Sequence, residues 1–263
     1  MRVRCRGLRE RAQTCFDRAM PWDFWLLFFA LGVLLPWRGR AKYKHLLSLP
    51  SPGRSERVTL YLTTIAFQWI ATAVVGWRVY ARGLSAEDLG IAWHNVGEIL
   101  SIGIAGAILI GALHWWNLRR IGRQARPQSN ELKVLASRIL PRSRSEMIPY
   151  IALALTAGIC EEFLYRGFAM GALLRADLPA WSVVILSAIL FGLAHLYQGR
   201  SGLAGTILLG ALFGGVRILC DSMIPLIFWH AAVDVVAGVA GAKYLVGAEP
   251  DSAVADATIS PHE

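Results

Sequence analysis

Repeated apolar runs, broken by short basic loops, set the strongest limit on what this chain can fold into. Residues 60–77, 97–118, 148–174, 180–197, 201–219 and 222–242 form six clear runs, each close to the ~20 residues that a helix needs to cross a bilayer core. In lipid an open strand leaves its backbone groups unpaired, so each run must be helical. Composition agrees. Hydrophobic residues make up 55% of the 263 and charged ones only 17%, too few to cover a soluble surface, and the mean hydropathy is +0.46. Ten Trp suit a protein whose indole rings sit at headgroup level. The expected fold is all-α, a polytopic transmembrane helix bundle with six clear spans plus a short N-terminal apolar segment, residues 22–37.

That segment follows a tail carrying Arg2, Arg4, Arg6, Arg9, Arg11 and Arg18. The pair resembles a signal peptide, but no small-x-small cleavage site follows, so it reads as retained. Between Pro21 and Pro36-Trp37 it is short for a full span, which favours a re-entrant or interfacial placement. Lys and Arg crowd residues 38–57 and 119–147, whereas Arg78 and Arg82 stand alone in the loop between. Both rich loops therefore belong in the cytoplasm, and a bacterial inner membrane is the first expectation for the location. The net charge of +9 is then explained by topology and contact with anionic lipid. No basic face with interleaved aromatics supports nucleic-acid binding. Cys5, Cys15, Cys160 and Cys220 are scattered singly, so neither a disulfide framework nor a cysteine zinc site is indicated.

Four pieces are expected: a basic tail (1–21), N-terminal membrane segments with basic loops (22–144), a helical core (145–245) and a disordered polar tail (246–263). Gly202, Gly205, Gly210, Gly214 and Gly215 form a stripe of small residues suited to close helix packing.

The core carries the chemistry. Glu161 and Glu162 lie well inside an apolar run, where each carboxylate costs at least a few kcal/mol. Arg166, four residues beyond Glu162, shares its helical face and can neutralise it. Glu161 is left without a local partner, and an unpaired membrane acid is by default a functional candidate. The next run ends in Phe191…His195, and the last holds His230…Asp234, again four apart on one face. Such a pair can exchange protons, orient one another or ligate a metal. Each cluster alone is weak; three on neighbouring spans are not, and by helix rise Glu161 and His230 reach similar depth while His195 comes out nearer the cytoplasmic side.

The order Glu161-Glu162…Arg166, Phe191…His195, His230…Asp234 resembles the CPBP family, the CAAX prenyl protease and bacteriocin-processing membrane peptidases. The resemblance covers residues 145–245. It implies a helix bundle around a hydrophilic cavity and hydrolysis of a membrane-anchored protein or peptide substrate. It also implies roles: Glu161 as general base, assisted by His195; Glu162 and Arg166 holding the helix face and charge balance, with Glu162 able to share the base role; His230 at the oxyanion beside Asp234. Eukaryotic members often carry Asn where this chain has Asp234, and an ionised Asp cannot donate to an oxyanion. It must be protonated, orient His230 or bind a metal. No cofactor is the first expectation; the alternative is Zn2+ on Glu161, His195, His230 and Asp234. Two rivals stand beside the peptidase: a catalytically idle binding or immunity protein of the same fold, and a small proton-coupled transporter.

Overall fold

The computed structural model describes residues 20–49, 51–91, 95–124 and 127–247. The basic tail and the polar tail expected from the sequence lie almost wholly outside these residues. Every regular element among them is helical: α1 (Trp22–Ser48), α2 (Arg54–Ala81), α3 (Val96–Gly122), α4 (Pro127–Ile139), α5 (Arg144–Arg175), α6 (Ala180–Ala194), α7 (Gly199–Cys220) and α8 (Ile224–Val246). The surface is inverted relative to a soluble protein. Trp22, Trp69, Trp77, Trp116, Trp181 and Leu208 face outward, while Glu162, Arg166, Ser187, Arg217 and His230 are buried. Lipid outside and paired polar groups inside satisfy both sets. The chain is an integral, multi-pass membrane protein.

Among the described residues six helices are long and apolar enough to cross a membrane, but they are not quite the runs expected. The first run does not stop at Pro36. A π turn over Ala30–Leu34 accommodates the N–H that proline lacks, and the helix continues to Ser48. Its 27 residues span ~40 Å at 1.5 Å each. It runs antiparallel to α2, joined to it by side chains at both ends: Asp23 at its start pairs with Arg78 and Arg82 at the end of α2. At its other end Lys42 donates to Thr63 and Thr64. The run expected at 180–197 is the short one instead. Its helix stops at Ala194 after 15 residues. Part of the basic loop 119–147 is itself helical, as α4.

Helix α5 is the centre of the bundle, packed on α2 and α8, while α8 also packs along α3 and α6 pairs with α7. Small residues set these approaches. A Cβ on Gly158 would meet Ile227 O at 3.0 Å and Ala231 N at 3.2 Å, so α5 and α8 touch through their backbones. Gly210 and Gly214 of the small stripe sit against Ala188 and Val184 of α6, whereas Gly205 and Gly215 face open space. Only part of that stripe serves helix contact. At the end carrying the basic loops, Glu146 of α5 receives Nε and Nη2 of Arg57 of α2, both at 2.8 Å. The pair is buried, and it fixes where the two helices begin relative to each other.

Candidate active site

Two of the helices that deliver polar groups, α5 and α6, are irregular or interrupted beside them. In α5 the α-helical portion ends at Glu162, and a π turn follows over Phe163–Ala169. Such turns cluster at functional sites because they re-aim side chains at little cost in backbone bonding. In α6 the helix ends one residue before His195, which has φ −101° and ψ 15°. A short 3-10 turn, Leu196–Gln198, follows, and Gly199 at φ 78° reverses the chain into α7. A helix that ends early leaves carbonyls unpaired. His195 fills this need: its backbone N–H bonds Gly192 O at 2.8 Å and its Nδ1 bonds Phe191 O at 2.9 Å. A carbonyl can only accept, so Nδ1 carries the hydrogen and Nε2 of the neutral ring is an acceptor.

That acceptor faces Glu161. His195 Nε2 and His230 Nε2 each stand 3.9 Å from Glu161 Oε2. His230 is itself oriented from behind, donating from Nδ1 to Glu162 Oε1 at 2.7 Å. Its Nε2 therefore points forward, 3.7 Å from Asp234 Oδ2. All six residues singled out in the sequence thus fall in one cluster or directly behind it. They differ sharply in access. Glu162 and Arg166 are completely enclosed, Glu161 and His195 are partly open, and Asp234 is 34% exposed at the rim.

The enclosed pair forms the floor. Arg166 Nη1 donates to Glu162 Oε1 at 3.0 Å, and Nη2 reaches Gly210 O at 3.3 Å. Its guanidinium lies 4.3 Å from the Phe191 ring centroid and 5.4 Å from that of Phe213, a cation over two π faces. Phe191 also meets His195 and His230, with centroids 4.7 and 5.7 Å away. One aromatic ring therefore wedges the arginine and both histidines into register. Glu162 is fully enclosed and held by Arg166 and His230 on the same oxygen, Oε1.

One member of the cluster was not found from the sequence. Gln68 of α2 donates Nε2–H to Glu161 Oε1 at 2.8 Å. It supplies the partner that Glu161 lacks on its own helix. The only available signal was an amide in the middle of an apolar run, which hydropathy alone averages away. Tyr150 Oη donates to the carbonyl of Asp234 at 3.2 Å, tying α8 to α5 beside the rim. Cys160 is buried and free, as expected for apolar filler. Among the described residues, no group of three or more His, Cys, Asp and Glu side chains is spaced to hold a metal ion.

A carboxylate facing two imidazoles, one of them held from behind by a second carboxylate, is an arrangement able to accept and donate protons inside a helix bundle. Residues 143–236 match the family described as Type II CAAX prenyl endopeptidase Rce1-like. This segment, about a third of the chain, is similar to the CPBP/CAAX family of intramembrane peptidases. No curated protein and no solved structure matches the chain significantly.

Proposed function

We propose that the protein hydrolyses a peptide bond near the C-terminus of a lipid-anchored or hydrophobic peptide, using a water activated by Glu161 and His195. The observation that carries this reading is the convergence of Glu161 Oε2 and two imidazole Nε2 atoms within 3.9 Å. A water between Glu161 and His195 loses a proton to the carboxylate as its oxygen attacks the scissile carbonyl carbon. His230, as an imidazolium with Nδ1–H on Glu162, donates Nε2–H to the oxyanion that forms. The protonated Glu161 then delivers its proton to the leaving amine as the C–N bond breaks. Asp234 stands beside Nε2 and orients His230 from the open side. Glu162 and Arg166 form a fixed support rather than a second base.

The chemistry needs no metal as first choice; Glu161, His195, His230 and Asp234 are the donors that Zn2+ would use. The basic residues crowded into 38–57 and 119–147 mark the cytoplasmic side, in a bacterial inner membrane. The test is cleavage of a farnesylated, fluorescence-quenched peptide with a free C-terminal carboxylate, by protein reconstituted in liposomes. Glu161→Gln abolishes cleavage while the melting temperature holds. Full activity in that variant refutes the assigned base, and loss of wild-type activity on chelation, restored by Zn2+, replaces it with the metal mechanism. Tight binding without cleavage marks an idle binding protein.

A further inference from the structure

We infer that Gln68, on a helix outside the family-matched segment, is a positioning residue for Glu161, so that the reaction centre is completed by the N-terminal half of the chain. Four observations carry this. Gln68 is 8% exposed in the middle of a membrane-spanning helix, where a polar side chain is costly and tends to be functional. Its Nε2 donates to Glu161 Oε1, and because a carboxylate only accepts, this fixes the amide with its nitrogen toward the acid. With Oε1 held, the other oxygen is turned toward His195 and His230, which is the orientation the base needs. Finally, Gln68 Oε1 is buried without a hydrogen-bond partner among the described residues. An amide kept only to join two helices would be expected to have both ends satisfied. This one leaves an acceptor unpaired in order to grip a single carboxylate oxygen.

Helix α2 is placed for the task by contacts far from the site: the buried Arg57–Glu146 pair sets its register against α5. The catalytic unit is therefore larger than residues 145–245, because one of its working hydrogen bonds begins at residue 68.

The inference rests on Glu161 being the base, and its test has two readouts so that the two claims fail separately. Gln68→Met keeps the length of the side chain and removes the donor; Gln68→His keeps an N–H of similar reach. With the farnesylated peptide above, Gln68→Met loses about 10–100-fold in kcat, the effect of one charge-assisted hydrogen bond. KM and melting temperature stay at wild-type values, and Gln68→His recovers most of the loss. The second readout needs no substrate: the rate at which dicyclohexylcarbodiimide, an apolar carboxyl reagent, labels Glu161 in the full-length protein, followed by mass spectrometry with Glu161→Gln as blank. Freed of its donor, Glu161 is labelled at least threefold faster in Gln68→Met. Unchanged kcat, or an unchanged labelling rate, overturns the assignment. A fall in stability with kcat intact makes Gln68 a helix fastener instead.

Discussion

The Glu162–Arg166 pair allows the support of the site to be separated from its chemistry. Both side chains are fully enclosed, and His230 adds a third partner through its 2.7 Å bond to the same carboxylate oxygen. Glu162→Met leaves Arg166 with only Gly210 O and two ring faces, and leaves the His230 Nδ1–H without an acceptor. Breaking a buried pair costs about 3–5 kcal/mol and an orphaned buried donor about 1–3 kcal/mol more, so the expected loss is about 4–8 kcal/mol. Arg166→Met is milder, about 3 kcal/mol, because Glu162 keeps His230. In Glu162→Met/Arg166→Met both charges are gone and only the His230 donor is orphaned, about 1–3 kcal/mol. The double variant is therefore more stable than Glu162→Met although it carries one more substitution. Equilibrium unfolding in mild detergent measures the order. Activity behaves differently: with no acceptor behind His230, both variants lacking Glu162 stay at least 100-fold below wild type. A double variant no more stable than Glu162→Met would refute the pairing argument. Recovery of activity together with stability would refute the role given to Glu162.

Two further outcomes test how the helices hold the site. Gly158→Leu drives a side chain into the backbone of Ile227 and Ala231, next to His230, and parts α5 from α8; a loss of roughly 1–3 kcal/mol should accompany at least a tenfold fall in kcat, and wild-type turnover would show that Glu161 and His230 need not be close. Arg57→Met removes a buried charge partner of Glu146 at the far end of the same helices; stability should fall by about 3–5 kcal/mol with kcat at a permissive temperature retained, and the reverse pattern would mean that the pair belongs to the reaction.

Hydropathy and spacing made much of this protein legible. An apolar run of about 20 residues has few options in lipid, so the helical, multi-pass character followed from local composition. Charged groups inside such runs are costly enough to stand out, which is why Glu161, Glu162, Arg166, His195, His230 and Asp234 could be named before any contact was known. Helical periodicity also placed Glu162 with Arg166 and His230 with Asp234, because residues four apart share a face.

Other features depend on groups far apart in sequence. Pro36 read as an end because proline breaks a regular helix. It is accommodated because a π turn precedes it and because Asp23 finds Arg78 and Arg82 on another helix. The early stop of α6 at Ala194 is decided by a turn in which His195 bonds its own helix end, a balance that hydropathy does not register. Tertiary structure alone turned His230 toward the open side by setting Glu162 behind it, and brought Gln68 to Glu161 across 93 residues. The sequence determined which groups must be buried, since transfer cost belongs to each residue by itself. Only packing determined which of them meet, since a hydrogen bond belongs to a pair.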